Sequence, residues 1–480
     1  MESVKLEPAL CVDMDGTLIR TDSLHEHLLL LLKTRPLELF STGLALSRGI
    51  AAFKREVCSR VSFQPESLPY NEAIIAYIRE QASQGRRILL VTAADQVVAN
   101  RVAEHIGVFE TVLASDGVIN LKSEAKAAAI RKYLNDWPFE YIGDSFADLP
   151  IWKQSSGAIA VNSTGLLRRI INNYGVPVTK EFPGGRVSFF TLLKAIRVYQ
   201  WSKNLLVFAP LFLSHTILQI DKTLSAAETF MALCAAASTV YVINDLFDLE
   251  ADRRHQRKRS RPFASGALTV RQGALIIIFL LSLTILISSL LPARAQLFIV
   301  AYILISALYS IALKSKLFID ITTLAGLYTL RVLCGGAAAD VPISPWTLAF
   351  SIFLFISLAI CKRLTELHSF SDRHDGIDGA VPGRAYSQSD WQTIVSLGSS
   401  SGYVAVLVLA LYLNSPDVTA LYARPRALWL ICPLLVYWIS RMLIIANRGQ
   451  MHDDPIVFTF RDRASWIVAT AILAVAIVSL

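Results

Sequence analysis

The chain has 480 residues, 54% hydrophobic and 18% charged, with a mean hydropathy of +0.47 and a net charge of +8. Soluble domains are about 45–50% apolar and about 25% charged, so this composition excludes a disordered chain, a secreted disulfide scaffold and an ordinary single soluble domain. An integral membrane protein carrying a soluble part is expected, and the length favours two or more domains. On such a chain the positive charge reads as loop asymmetry about a bilayer, not as nucleic-acid binding. The cysteines, Cys11, Cys58, Cys234, Cys334, Cys361 and Cys432, form no CxxC pair and read as reduced thiols. Residues 1–12 lack a cationic start and a long apolar run, so no signal peptide is expected there.

Residues 1–173 alternate short strand-like runs (LCVDMDG, RILLVTAA, YIGDSF) with helix-like sequence. That alternation predicts an α/β domain with a parallel sheet and a site at the carboxyl ends of the strands. The first run ends in Asp13-Met14-Asp15-Gly16-Thr17, two carboxylates pointing the same way from an extended strand end. Thr92 ends RILLVT, Lys126 opens the helical KAAAIRKYL, and Asp144 and Asp148 follow YIG. These four pieces, in this order, resemble the haloacid dehalogenase-like phosphatase superfamily. The resemblance implies a Rossmann-like fold with Asp13 as nucleophile and Asp15 as general acid and base. It further implies that Thr92 and Lys126 hold the phosphate, with Lys122 the competing lysine. Mg²⁺ would be held by Asp13, Asp144 and the Met14 carbonyl, with Asp15 and Asp148 in the metal set. Residues 24–60, where this superfamily inserts small caps, are strongly apolar. They read either as a helical cap packing on itself or as a cap touching the bilayer or a lipid substrate. Residues 174–189, with Pro and Gly clustered, read as a linker.

Residues 190–480 carry nine long apolar stretches: 204–219, 226–243, 272–291, 296–312, 317–337, 346–361, 395–414, 427–446 and 464–480. Several approach the ~20 residues that cross a bilayer as a helix, so an all-α nine-helix bundle is predicted. The first is the weakest, broken by Pro210 and His215. Alternating spans from a cytoplasmic N-terminus put Arg253–Arg271, Lys314 and Lys316, Lys362 to Arg384, and Arg448 to Arg463 inside, as the positive-inside rule requires. A multi-pass protein of the inner membrane with a cytoplasmic N-terminal domain follows. Asp372, Asp375 and Asp378 read as solvated loop residues.

The second span ends in Asn244-Asp245-Leu246-Phe247-Asp248, with Asp252 beyond; on one helix Asp245, Asp248 and Asp252 share a face. Such an acid row is expensive at a membrane unless a cation binds, and a Mg²⁺-bridged diphosphate is its natural ligand. NDxxDxxxD followed by Lys258-Arg259-Ser260-Arg261-Pro262 resembles the UbiA prenyltransferase superfamily, which implies Lys258 and Arg261 as phosphate contacts. Where ordinary members carry a second acidic motif, this chain has Lys362-Arg363-Leu364-Thr365-Glu366. With Gln200-Trp201-Ser202-Lys203-Asn204 and Tyr309-Ser310 before Lys314, the set is similar to one subgroup, the decaprenyl-phosphate phosphoribosyltransferases. That implies phosphoribosyl diphosphate and a polyprenyl phosphate as substrates. Mg²⁺ would bind at Asn244, Asp245, Asp248 and Asp252, and Lys203, Arg261, Tyr309, Lys314, Lys362, Arg363 and Glu366 would line the substrate. The attached phosphatase would then remove the 5-phosphate, giving an arabinan precursor for cell-envelope biosynthesis. An aromatic or quinone-precursor prenyltransferase and a membrane-tethered phosphatase are the competing readings, and a homo-oligomer is compatible with all three.

Overall fold

The computed structural model describes residues 7–479 apart from 63, 186, 372–382, 417, 419–421 and 452–453. Asp372, Asp375 and Asp378 thus lie outside the described residues. The chain forms two compact units, residues 1–196 with 242–277, and residues 197–241 with 278–480.

The first unit is built on a six-stranded parallel sheet of order β3-β2-β1-β4-β5-β6. Its strands are β1 Ala9–Val12, β2 Ile88–Asp95, β3 Thr111–Ser115, β4 Phe139–Gly143, β5 Gly157–Val161 and β6 Val178–Phe182. Helices cover both faces, so β1 and β5 are buried throughout and read as unbroken apolar runs. Two apolar cores result: Leu10, Val12, Ile88 and Leu90 face one way, and Cys11, Leu89, Val91 and Tyr141 the other. The strand order reverses beside β1, which sets its carboxyl end at the crevice where such sheets bind ligands. One strand was hidden: β6 comes from the segment expected to be linker. Residues 178–182 pair with β5 because Val-Thr-Lys-Glu-Phe offers an edge strand buried only at Phe182. A helical cap, Ser23–Thr34, Glu38–Leu44 and Ile50–Arg60, interrupts the passage from β1 to β2.

The second unit is helical. Among the described residues seven helices are long and apolar enough to cross a membrane, and an eighth arises if Pro455–Arg461 and Arg463–Ser479, bent by 83°, count as one span. Eight of the nine expected stretches therefore have a counterpart. The remaining one, 204–219, is taken up by a 3-10 segment, Val198–Phe208, and a short helix, Ala209–Leu213. Helix Ile319–Ala338 is the central one, 72% buried, whereas Val270–Ser288 and Ala293–Ile311 are 17% and 22% buried. Apolar side chains left open at that level face lipid, and the protein is an integral multi-pass membrane protein. Small residues allow the closest approaches. A Cβ on Gly335 would stand 1.9 Å from the Val207 carbonyl, and one on Gly402 would stand 2.5 Å from Ile439.

Candidate active sites

At the carboxyl end of β1, Asp13 Oδ1 accepts from the Met14 amide at 2.8 Å and from Lys126 Nζ at 3.0 Å. Lys126, from helix Glu124–Leu134, is therefore the lysine that reaches Asp13, in preference to Lys122. It also donates to Tyr141 Oη at 2.9 Å, and Tyr141 donates to Asp148 Oδ1 at 3.0 Å. Ser145 holds the other Asp148 oxygen through its amide and hydroxyl. Thr92, at the end of β2's apolar run, is buried, and its hydroxyl accepts from the Ala94 amide.

Asp13, Asp144 and Asp148 each present an oxygen within 4.8 Å of the others. Asp15 stands outside that group: its two oxygens accept from the Ser23 amide and hydroxyl at 3.0 and 3.1 Å. Asp15, expected in the metal set, is held by Ser23, the first residue of the cap. Gly16 lies in the left-handed region (φ +76°), and a Cβ there would fall 2.3 Å from Asp144 Oδ2, so only glycine lets the β1 loop pass this carboxylate.

Crowding of carboxylates away from water raises their pKa values. Burial pushes Asp13 up to about 6, against the pull of Lys126. Asp15 rises to about 7 through burial and then the charge of Asp22. Asp144 rises to about 8 through burial and the neighbouring Asp13 and Asp148.

The acid row is also part of the first unit. Helix Ile220–Phe247 stops one residue before Asp248, and a short helix, Leu249–Arg254, follows, so the row is not one continuous helix face. Asp245 and Asp252 are buried and bridged by Arg261 Nη1, at 3.1 and 2.6 Å. Asp248 is half-exposed, 3.7 Å from Lys33 Nζ of the cap. Arg253 makes a two-pronged pair with Glu26 of the same cap helix, at 2.9 and 2.5 Å, both side chains nearly buried. Lys258 is exposed.

In the second unit two lysines converge on one aspartate. Lys203 Nζ is 2.7 Å and Lys362 Nζ 3.3 Å from Asp454 Oδ2, and Tyr328 donates to the same carboxylate. Beside them Arg331 is buried, donating to Asn204 Oδ1 at 2.8 Å and to Tyr302 Oη at 2.9 Å. Asp454, Tyr328 and Arg331 were not among the expected site residues. Arg331 sits inside an apolar stretch, where one charge barely alters the hydropathy.

Arg363 is a different case. It is 1% exposed, its guanidinium forks onto Asp320 at 2.7 and 2.8 Å, and it also pairs with Glu366. Tyr309 accepts from Arg363 and donates to Asp320, while Arg384 adds a second cation to Glu366. Arg363, Glu366 and Tyr309, expected to line substrate, contact one another and Asp320, which arrives from a helix that the motif itself cannot announce. Lys314 makes its bond through its carbonyl, to Arg384. Asp320→Asn is expected to destabilise the detergent-solubilised protein by about 3 kcal/mol in thermal unfolding, since it removes one of the two carboxylates that hold a buried guanidinium. The paired change Asp320→Leu with Arg363→Met should cost clearly less. Equal losses would mean that the pair does not act as a unit.

Residues 206–478 match the UbiA prenyltransferase family, and residues 10–153 match haloacid dehalogenase-like hydrolases. The chain belongs to the UbiA prenyltransferase family. Uncharacterized protein y4nM of Sinorhizobium fredii is 37% identical to this UbiA-family chain over 468 residues, 97% of this chain and 89% of that one. Nodulation protein NoeC of Azorhizobium caulinodans is 34% identical over 285 residues, 59% of this chain and 91% of that one. Decaprenyl-phosphate phosphoribosyltransferase of Mycolicibacterium smegmatis is 37% identical over 180 residues, 37% of this chain and 57% of that protein. The UbiA domain is thus preceded on the same chain by a haloacid dehalogenase-like domain, which carries the Asp13 site.

Proposed function

We propose that the protein is a bifunctional membrane enzyme. The UbiA domain transfers 5-phosphoribose from phosphoribosyl diphosphate to a polyprenyl phosphate. The soluble domain then hydrolyses the 5-phosphate to leave polyprenylphosphoryl-ribose. The observation that supports this reading is the cluster of Asp13, Asp144, Asp148 and Lys126 in a haloacid dehalogenase-like domain on the same chain as a UbiA domain whose relatives include decaprenyl-phosphate phosphoribosyltransferases. A transferase that leaves a phosphate on its product gives such a phosphatase a substrate. The protein would lie in the inner membrane with the N-terminal domain on the cytoplasmic side.

In the first reaction an oxygen of the lipid phosphate attacks the anomeric carbon, and diphosphate leaves with the bonding pair. The acceptor is already anionic, so the site needs cations and position in place of a base. Asn244, Asp245, Asp248 and Asp252 are an all-oxygen donor set suited to Mg²⁺ on the diphosphate. Arg261 and Lys258 supply charge beside that row. Lys203 and Lys362 carry one positive charge more than Asp454 neutralises, and are assigned to another phosphate.

In the second reaction a carboxylate oxygen of Asp13 attacks phosphorus and the ribose oxygen leaves, taking a proton from Asp15. The raised pKa of Asp15 keeps that proton in place near neutrality. Asp15 then draws a proton from the water that splits the aspartyl-phosphate. Thr92 and Lys126 hold the phosphate oxygens. Asp13, Asp144 and Asp148 would hold Mg²⁺, which would offset the charge between nucleophile and phosphate.

The test is to give purified protein Mg²⁺, polyprenyl phosphate and phosphoribosyl diphosphate and to weigh the lipid product by mass spectrometry. Ribosyl lipid supports both steps. Phosphoribosyl lipid alone removes the second, and a lack of any pentose on lipid removes the first.

A metal-linked prediction follows from Asp144. In the unfolded chain it ionises near 3.8, and in the fold it keeps its proton up to about 8. Folding takes up a proton between these values, so the metal-free domain loses stability as pH rises through that window. Mg²⁺ competes with the proton, so the rise in Tm on adding Mg²⁺ should be clearly larger at about pH 8 than at about pH 5. A rise independent of pH would mean that the ion binds elsewhere.

A further inference from the structure

The cap turns outward between its first and last helices, and its outermost part is apolar. Leu37, Phe40 and Leu44 lie at i, i+3 and i+7, one face of a short helix, and are 82%, 82% and 74% exposed. Leu46 and Ile50 extend the same surface. Arg60 grips Glu38 at 3.0 Å and Ser41 at 2.8 Å, which fixes the polar side of this helix inward and leaves the apolar side unpartnered. Arg35 and Arg48 flank it.

Its position is not arbitrary. Four residues before Leu37, Lys33 Nζ donates to the carbonyl of Phe247, the last residue of the long apolar helix Ile220–Phe247. The Glu26–Arg253 pair ties the same cap helix to the short helix that follows that span. The apolar tip is thus fastened within a few residues of a point where the chain leaves the bilayer. Apolar side chains with basic flanks at that level suit a lipid interface.

The two cap helices on either side of the tip each place a residue at the phosphatase site. Ser23 opens the first and holds Asp15. Lys54, on the last, donates to the Ala93 carbonyl at 2.6 Å, next to Thr92. We propose that residues 35–50 are a lipid-seated tip of the phosphatase cap, through which the soluble site receives phosphate esters carried on bilayer lipid. The seating stands on the geometry alone; the choice of ester rests on the proposed function.

Two measurements separate these parts. The full chain is reconstituted in liposomes with a nitroxide at Phe40→Cys in a Cys432→Ser background, the other cysteines being buried. Leu166→Cys, exposed on a helix of the same unit, serves as the aqueous reference. Oxygen collisions should rise at position 40, and collisions with a water-soluble nickel chelate should fall severalfold below those at 166. Equal nickel access at both positions overturns the seating, as does loss of both collision partners with spin–spin broadening, which would mark a second copy as the occupant. In the kinetic arm, Leu37→Ser, Phe40→Ser and Leu44→Ser are combined. This variant should accumulate phosphoribosyl lipid, its dephosphorylation slowed by about tenfold, while hydrolysis of soluble p-nitrophenyl phosphate is unchanged. Dephosphorylation at the wild-type rate overturns delivery through the tip. If wild-type protein puts no pentose on lipid at all, the functional reading fails with the delivery it supports, and the collision data still decide the seating.

Discussion

Asp13→Asn is expected to halt the pathway one step short: the protein should still load pentose onto lipid, but the product should keep its 5-phosphate. The substitution preserves the shape of the side chain and its bond from the Met14 amide. It removes the anion that would attack phosphorus, and with it the charge that Lys126 faces at 3.0 Å. Loss of a covalent nucleophile costs about 10³-fold or more in turnover, so phosphoribosyl lipid should be the product that accumulates. Mass spectrometry distinguishes the two lipids by one phosphate. Ribosyl lipid formed by this variant at the wild-type rate would assign the second step to another residue.

The second large effect is expected at the acid row. Asp245 is buried, and Arg261 spans it and Asp252. Asp245→Asn leaves Arg261 paired with Asp252 at 2.6 Å, so the fold should survive. The charge available to a metal-bound diphosphate falls by one, and the loss of one preorganised group that stabilises a departing anion is worth about 10²–10³-fold in kcat. Pentose transfer should fall by that factor, while p-nitrophenyl phosphate hydrolysis at the Asp13 site should remain. Transfer within about twofold of wild type would remove Asp245 from the group that holds the diphosphate.

Much of the phosphatase site was legible because its residues sit at strand ends, where an apolar run meets a polar turn: Asp13 after β1, Thr92 in β2, Asp144 after β4. Tyr141 was not. It reads as one more apolar residue of β4, and only its hydroxyl, between Lys126 and Asp148, gives it a polar role. The membrane half was legible as spans and less so as charges. Which cation is free for a ligand depends on partners far away in the chain. Lys203 finds Asp454 and Arg363 finds Asp320, and neither spacing follows any local periodicity. The β6 segment was misjudged for a related reason: an edge strand half open to water has the composition of a linker.

The Glu26–Arg253 pair also bears on ancestry. Residues 242–277 fold into one unit with residues 1–196, although residues 197–241 separate them in the reading order of the gene. Gly266 has no room for a Cβ beside Arg20 and Pro69, and Arg253 has a nearly buried carboxylate waiting in Glu26. A recombination event that exchanged the N-terminal domain for an unrelated phosphatase would leave Arg253 without its partner and present Gly266 with a foreign surface. A graft of a foreign N-terminal domain is therefore expected to need matching changes near residues 26, 253 and 266.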